Sequence, residues 1–212
     1  MPQLVGLRAL LATALCLWMD YLASQGVHFA HPVKSNEQKL IHSFSEKEGT
    51  YFAVIFKKAL GAQLATKEDL TPVIMKRWGQ VIGQLHKATT TAPAYLRQAW
   101  QDDPGFKLAQ TATDPIANRK MCESFKEQIQ WLQSLPKDKV NYGLIHADVH
   151  MGNFHVDGND TITLFDFDDC QYHWFSYDLA IPIYSLKYMS HFKNLDLNIS
   201  QLTEQLLEGY LG

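Results

Sequence analysis

Apolar residues recur with different periods along the chain, and these periods predict its secondary structure. Residues 7–25 are rich in Leu and Ala, which predicts one buried helix ending at Gly26, a residue that readily takes the left-handed conformation after a helix. Residues 40–44 and 51–56 are short β-prone runs on either side of a polar turn, and they predict a β-hairpin. Gly61 follows this hairpin and is expected to mark a boundary between two lobes.

A helical period dominates the middle of the chain. Thr71 followed by Pro72 predicts a helix start, because Thr caps the first turn and Pro fits the first helical position. The apolar residues that then share one face are Ile74, Trp78, Val81 or Ile82, and Leu85. Residues 116–135 predict a second amphipathic helix. Its apolar stripe consists of Met121, Phe125, Ile129 and Leu132.

The last third of the chain alternates short strands with helices. Three apolar runs predict β-strands, at residues 142–146, 154–156 and 161–165. The polar residues 157–160 predict the turn between the last two strands. Residues 174–188 and 200–211 predict closing helices. The pattern therefore predicts an α+β chain, with a β-containing first lobe and a helical second lobe that carries a carboxylate-rich β-hairpin.

The composition excludes several classes of protein. The chain has 212 residues, of which 46% are apolar and 19% are charged, and its net charge is -3. This length and apolar content suit one large domain or two small lobes. The net charge and the scattered lysines give no basic face for nucleic acid, so no nucleic-acid partner is expected.

The cysteines and the apolar amino terminus bear on the cellular location. The three cysteines are an odd count without a C-x-x-C pair, so neither a disulfide framework nor a cysteine zinc site is expected. The apolar residues 9–19 are too short to span a bilayer, although they match the core of a secretory signal. The stretch continues into Asp20 without a Pro or Gly break, which favours a buried helix. We therefore predict a cytoplasmic protein without a membrane partner.

Carboxylates and an amide cluster in two motifs near the predicted hairpin. The first motif spans residues 143–153 and contains Asp148 and Asn153, and the second spans residues 164–169 and contains Asp166. Pairing of the short strands brings these three side chains together. Because like charges at short range need a proton or a cation between them, and because the ligands are oxygens only, the cluster predicts Mg²⁺ that also carries substrate phosphates.

Phosphoryl transfer gives each residue of this cluster a role. Asp148 accepts or orients the proton of the attacking hydroxyl, while Asn153 and Asp166 hold the metal. His146 is expected to fix the catalytic loop through its ring hydrogen bonds, and Gly152 to relieve the backbone where the loop turns back.

Two other interpretations of these residues exist. Asp and Asn in loops are often only turn formers, which is how we interpret residues 157–160. His150 and His155 flank the loop, and the His-x-Asp-x-His motif of His146, Asp148 and His150 is a candidate zinc site of a metallohydrolase, for which His173 is the close further ligand. The H-x-D-x-x-x-x-N spacing followed by D-x-D-D at a strand end is more specific, and it favours phosphoryl transfer.

The segments LIHADVHMGNF, LFDFDDC and YDLA resemble the aminoglycoside phosphotransferase, choline kinase and homoserine kinase type family, whose fold is similar to that of protein kinases. The resemblance implies that Asp148 is the catalytic base and that Asn153 and Asp166 are the magnesium ligands. It also implies that Asp178 is the buried aspartate that supports the catalytic loop. Ala147 stands where the family usually has glycine.

The resemblance also predicts the fold and the nucleotide site. YFAVIFKKALG is similar to the last strand of the N-lobe and the hinge, where the backbone of Phe56, Lys57 and Lys58 would receive the adenine of ATP. The implied architecture is a protein-kinase-like two-lobe fold. Residues 1–58 form a reduced β-containing N-lobe that ends in the hinge, and residues 59–212 form a mainly helical C-lobe with the catalytic loop and the metal site.

Two features of the family are not found in the sequence. They are the nucleotide-covering loop and the strand lysine that holds the phosphates; only Lys34, Lys39 and Lys47 precede the hinge. Asp20 is a poor match for the acidic residue that pairs with that lysine, and relatives usually add helices after Tyr210. We therefore expect a truncated copy, and a pseudokinase-like module that binds nucleotide and metal without turnover is the alternative.

The predicted acceptor is a small molecule with a hydroxyl group. Asp168, Asp169 and Trp174 are expected to border its pocket, and the two carboxylates favour a cationic acceptor such as an amino sugar or amino alcohol. The predicted reaction is transfer of the γ-phosphoryl group of ATP, with Mg²⁺ as cofactor, to this aminoglycoside-, choline- or homoserine-like acceptor. The identity of the acceptor and the oligomeric state stay open.

Overall fold

The protein combines α-helices with short antiparallel strands. The structure is a computed structural model that describes residues 2–47, 49–103, 107 and 119–212. The described helices are α1 (Pro2–Ser24), α2 (Pro72–Thr91), α3 (Arg119–Ser134), α4 (Phe175–Phe192) and α5 (Ile199–Leu211). The strands are β1 (Pro32–Val33), β2 (Ile41–Glu46), β3 (Gly49–Phe56), β4 (Tyr142–Ile145), β5 (Phe154–Val156), β6 (Ile162–Leu164) and β7 (Gln171–Trp174).

The amino-terminal helix and hairpin form as the sequence predicts. α1 is followed by Gly26 at φ +80°, the left-handed conformation expected after a helix. β2 and β3 pair antiparallel, with Ile41 opposite Val54, and they are longer than predicted. β1 pairs with the other edge of β3, which gives the strand order β1-β3-β2.

One hydrophobic core contains residues from both predicted lobes. Trp18 of α1 lies edge-on to Phe167, with ring centroids 5.7 Å apart. The backbone N–H of Ala30 donates to the carbonyl of Leu164 at 2.7 Å, so the segment after α1 is attached to the end of β6. This contact places β3 and its hinge beside the carboxylate motif that follows β6.

The apolar face of α1 is only partly covered. Gly6–Ser24 is the one stretch of the described chain that is long and apolar enough to cross a membrane, and 33% of it is buried. Trp18, Met19 and Leu22 are fully buried in the core, whereas Leu10 is 57% exposed. A core helix passes the same length and composition test, and the carboxyl-terminal part of α1 packs in the core through these buried residues.

α2 and α5 pack closely because glycines lie at their contact. Thr71 caps α2 as predicted, since its hydroxyl accepts from the N–H of Ile74. A Cβ at Gly79 would lie 1.9 Å from the carbonyl oxygen of Leu206, and one at Gly209 would lie 1.9 Å from that of Lys76. The two helices therefore approach each other at backbone distance.

Some predicted elements differ from the structure. Met121 is 64% exposed, so its assignment to the buried stripe of α3 is wrong, whereas Ile129 of that stripe is buried. The predicted start of this helix, residues 116–118, lies outside the described residues. Trp174 was expected to begin a helix, but it ends β7, which pairs with β4. β7 was not predicted because its four residues show no alternation and its partner is distant in sequence.

We expect Gly79→Ala to lower the free energy of unfolding by about 1–3 kcal/mol, because the added methyl group displaces the backbone of α5. Urea unfolding followed by circular dichroism measures this change. Gly158→Ala is the matched control, since no atom lies within 4 Å of a Cβ there. Its free energy of unfolding should stay within about 0.5 kcal/mol of the parent value. Equal stability of the two variants would contradict the close helix contact.

Candidate active site

The two carboxylate motifs lie side by side at the ends of short strands. The first motif leaves β4 after Ile145 and enters β5 at Phe154, and the second follows β6. β5 and β6 pair antiparallel, with Phe154 opposite Leu164. One residue further on, the N–H of Phe165 donates to the carbonyl of Asn153 at 3.0 Å, so the hairpin directly joins the two motifs.

Asp148 and Asn153 are in direct contact. The side-chain amide nitrogen of Asn153 donates to the carboxylate of Asp148 at 2.8 Å and to its backbone carbonyl at 2.9 Å. These two bonds use both hydrogens of the amide and fix its orientation. Its Oδ1 atom accepts no hydrogen bond from any described residue and remains available as an oxygen ligand. This donor set fits a hard divalent cation.

Burial raises the pKa of the Asp148 carboxyl. The electrostatic attraction between this carboxyl and the nearby ring of His150 acts in the opposite direction and lowers it. The Nε2 atom of His150 lies 3.5 Å from Oδ2 of Asp148. Because Nδ1 of the same ring accepts from the N–H of Gly152 at 2.8 Å, the ring proton lies on Nε2 and faces Asp148. Sequence reasoning considered His150 only as a zinc ligand and missed this contact.

His146 holds the loop as expected. Its ring is fully buried, and Nε2 lies 3.1 Å from the carbonyl oxygen of Phe165, to which it donates because Nδ1 faces the N–H of Asp148 at 3.4 Å. The ring also packs against Phe167, with ring centroids 4.4 Å apart. These contacts make His146 a positioning residue that links the two motifs.

Asp178 lies beneath the loop and accepts three hydrogen bonds. Its carboxylate accepts from the N–H of Ala147 at 2.7 Å and from the N–H of His146 at 3.1 Å. The third bond comes from Nε2 of His86 at 3.0 Å, and the other nitrogen of that ring contacts the hydroxyl of Tyr210. Sequence reasoning predicted the support by Asp178 but missed His86, because a lone His in an amphipathic helix carries no distinctive signal.

The residues of the two motifs that have a strained backbone do not include Gly152, where the sequence predicts the turn. Ala147 and Asp166 have φ values of +68° and +64°, so these two are the left-handed residues within the two motifs. Gly152 was expected to relieve the turn of the loop, but its φ is not in the left-handed region. A Cβ there would lie 2.6 Å from the ring of His150, so the position requires glycine because of this contact.

A cavity of about 440 Å³ connects the predicted hinge with the second motif. The residues that line it include Phe56 and Lys57 of the predicted hinge and Asp166 and Asp168 of the second motif. Lys58 was expected to belong to the same site but does not line the cavity. The N–H of Lys57 donates to the carbonyl of His31 at 2.8 Å, which fixes the chain where it leaves β3. The structure thus brings the hinge and the proposed metal ligand Asp166 to one cavity.

The predicted border of the acceptor pocket is divided between two places. Asp168 lines the hinge cavity, whereas Trp174 is buried and lines a different, aromatic cavity. Arg97 donates to the backbone carbonyls of Asp168 and Cys170, and so holds the turn that carries Asp169. Partial burial and the nearby carboxylate of Asp166 raise the pKa of Asp168. Asp168 therefore lines the hinge cavity and not the aromatic cavity that Trp174 lines.

The zinc interpretation finds no support. His155 contacts the carbonyl of Ala59, and His173 accepts from the N–H of Trp174 and stacks on Tyr177. Within the described ranges, no three His, Cys, Asp or Glu side chains are grouped closely enough to hold a metal ion. The three histidines proposed for a metallohydrolase centre therefore have separate structural contacts.

Comparisons with known proteins agree with this geometry. Residues 16–194 match the phosphotransferase enzyme family. Amicoumacin kinase of Bacillus subtilis (strain 168) is 33% identical over 174 residues, which are 80% of this chain and 51% of that protein. The chain spans about half the length of the curated relatives it matches.

Solved structures confirm the predicted kinase-like α+β fold. The amicoumacin kinase hAmiN in complex with AMP-PNP, Ca²⁺ and Ami has a TM-score of 0.84 and 28% identity, over 95% of this chain and 61% of that chain. A microcompartment-associated aminopropanol kinase has a TM-score of 0.68 and 22% identity, over 91% of this chain and 62% of that chain. At 22% identity, the similarity to the aminopropanol kinase shows a shared fold.

We expect Asp178→Asn to lower the free energy of unfolding by about 3 kcal/mol, because the new amide group cannot accept all three hydrogen bonds. Urea unfolding measures the loss. The exposed Asp196 provides the control variant Asp196→Asn, which should unfold like the parent protein. A parent-like midpoint for Asp178→Asn would show that the loop does not depend on this carboxylate.

Burial lowers the pKa of His173 from its ordinary value of 6.5 to about 4. Because the unfolded chain binds this proton more readily, the stability due to the neutral ring is complete above about pH 6.5 and is lost as the pH falls towards about 4. We expect the free energy of unfolding to decline less between about pH 7 and about pH 5 in His173→Gln than in the parent. Urea titrations at each pH measure this, and the exposed His191→Gln variant should follow the parent.

Proposed function

The chain belongs to the phosphotransferase enzyme family, and we propose that it transfers the γ-phosphoryl group of ATP to a hydroxyl group of a small molecule. The contact between Asp148 and Asn153, next to the cavity that Asp166 shares with the hinge, is the observation that carries this proposal. A proton acceptor, a pair of oxygen ligands and a nucleotide-sized cavity are the parts that phosphoryl transfer requires.

Asp148 is the proposed catalytic base. Its half-buried carboxylate is oriented by the amide of Asn153, and its raised pKa makes it a better proton acceptor than an exposed aspartate. In the reaction the acceptor oxygen forms a bond to the γ-phosphorus, the bond between that phosphorus and the β,γ-bridging oxygen breaks, and the acceptor proton passes to Asp148. ADP leaves with the electron pair of the broken bond.

Asn153 and Asp166 are the proposed ligands of a divalent cation, with Mg²⁺ as the expected ion. Bound there, the cation would neutralise charge on the nucleotide phosphates. The fixed amide of Asn153 and the hydrogen bond between Phe165 and Asn153 keep both oxygen ligands on rigid elements. The resemblance to hAmiN, whose structure contains AMP-PNP and Ca²⁺, supports nucleotide and divalent-cation binding.

The hinge is the proposed adenine site. Phe56 and Lys57 line the same cavity as Asp166, so a nucleotide with its base on the hinge would extend its phosphates towards this proposed metal ligand. The similarity to amicoumacin kinases supports a hydroxylated small molecule, with amicoumacin as the first acceptor to assay.

A binding module without turnover is the second candidate. Lys57 is the one Lys or Arg among the described residues that line the hinge cavity, so little positive charge faces the phosphates. Lys39, which precedes the hinge, is paired with Glu37 in solvent. The clustered Asp148, Asn153 and Asp166 favour catalysis, because a module that only binds has no use for a proton acceptor beside the metal ligands.

We expect Asp148→Asn to lower kcat about 100-fold or more, because the variant removes the proton acceptor and preserves the side-chain shape. Product formation is measured as ADP release with amicoumacin as acceptor, and nucleotide binding is measured by calorimetry with and without Mg²⁺. Binding and unfolding should change little.

Asp160→Asn, in the exposed turn between β5 and β6, is the control and should retain full turnover. A parent protein that binds nucleotide and metal without releasing ADP would favour the binding module.

A further inference from the structure

One face of the three-stranded sheet is apolar and exposed. Phe44 of β2 lies opposite Tyr51 of β3, and their stacked rings have centroids 5.6 Å apart. Val33 of β1 lies opposite Ile55 of β3, and because Tyr51 and Ile55 are an even number of residues apart on one strand, both pairs lie on the same face. The four side chains, which we call the outer sheet face, are between 38% and 64% exposed. A contiguous exposed apolar surface of this kind indicates an interaction site.

The outer sheet face is not the face that borders the hinge cavity. Neighbouring residues of a strand point to opposite sides, so Phe56, which follows Ile55 in β3, belongs to the other face. Phe56 lines the hinge cavity. A partner on the outer sheet face therefore need not cover the proposed nucleotide site.

The outer sheet face is complementary to itself in shape. Its aromatic pair lies near the turn that joins β2 to β3, and its aliphatic pair lies about 13 Å further along β3, at the hinge end. His42 and the small Ala53 lie opposite each other, midway between the two pairs. A second copy, turned by a two-fold axis through this midpoint, places its aliphatic pair on the aromatic pair of the first copy and receives the same contact in return.

The charges at the two ends of the sheet favour the same orientation. Residues 46–48, at the turn end, read Glu-Lys-Glu and are acidic on balance. The hinge end carries the exposed Lys57 and Lys58, while Glu37 near this end is neutralised by Lys39. The two-fold arrangement brings the acidic end of each copy to the basic end of the other, whereas a parallel arrangement would bring like charges together. Because the outer sheet face carries both halves of its own complement, a second copy of this chain is the partner that fits it.

We propose that the protein forms a reversible dimer in which the outer sheet faces of two copies stack across a two-fold axis. Three short strands present about 300 Å² of each copy to the partner, which is less than a permanent dimer buries. The dimer therefore dissociates readily, with an expected dissociation constant of about 100 µM. The contact involves neither nucleotide nor metal, so this inference does not rest on the proposed function.

Sedimentation velocity of the full chain, at protein concentrations from about 10 to about 500 µM, measures the dissociation constant of the dimer. We expect Ile55→Glu and Phe44→Lys each to weaken the dimer by about 10-fold or more, because each variant places an unpaired charge against apolar side chains in both symmetric contacts. Both side chains are exposed, so the monomers should fold like the parent, and urea unfolding of dilute protein checks this.

The decisive measurement mixes the two variants in equal amounts. In a mixed dimer, Phe44 of the Ile55→Glu chain meets Ile55 of the Phe44→Lys chain, so one contact is restored. The other contact brings the new glutamate and the new lysine together. We expect the mixture to dimerise within about 3-fold of the parent dissociation constant, although each variant alone is monomeric at the same concentration. A chain that had lost its fold would not regain dimerisation on mixing.

Val140→Glu is the matched control, because Val140 is a 79% exposed apolar residue in the turn before β4, outside the sheet. It should keep the dissociation constant of the parent within about 2-fold. Three results would overturn the inference: a parent protein that stays monomeric at about 500 µM, a Val140→Glu variant weakened as much as Ile55→Glu, or a mixture no more dimeric than its two components.

Discussion

The buried carboxylate of Asp178 is the interaction on which the site depends. It accepts from two consecutive backbone N–H groups, those of His146 and Ala147, and from the ring of His86. The two amides precede Asp148 directly, so the carboxylate fixes the backbone at the point where the proposed base leaves β4. Because Ala147 is held at a positive φ, the surrounding bonds must offset a strained conformation, and Asp178 supplies them.

The sequence predicts those parts of the site whose partners are close along the chain. Asp148 and Asn153 are five residues apart in one loop, and motif spacing was sufficient to predict their contact. The pairing of β5 with β6 places Asp166 one residue after the hydrogen bond that joins Phe165 to Asn153. His86 was missed because its contact with Asp178 arises from packing between distant parts of the chain. No local pattern encodes that packing. Gly152 was expected to relieve the backbone, but its φ is not left-handed, and a Cβ there would lie 2.6 Å from the ring of His150.

The assignment of Asp168 and Trp174 to one pocket failed because of the turn between them. Arg97 bonds to the carbonyls of Asp168 and Cys170, and the chain then enters β7, where side chains alternate. The second motif consequently faces the hinge cavity, whereas Gln171 and His173 face the aromatic cavity. Neighbouring residues thus line two separate cavities.

Hydrogen bonding distinguishes the groups that support this site from those left to meet ligands. His146 and Asp178 are buried, and their polar atoms have protein partners, as expected for groups that must not move. Oδ1 of Asn153, by contrast, accepts no hydrogen bond from any described residue. Because the amide nitrogen of Asn153 is already fixed by its two bonds to Asp148, this oxygen can meet the proposed cation without any rearrangement of the loop.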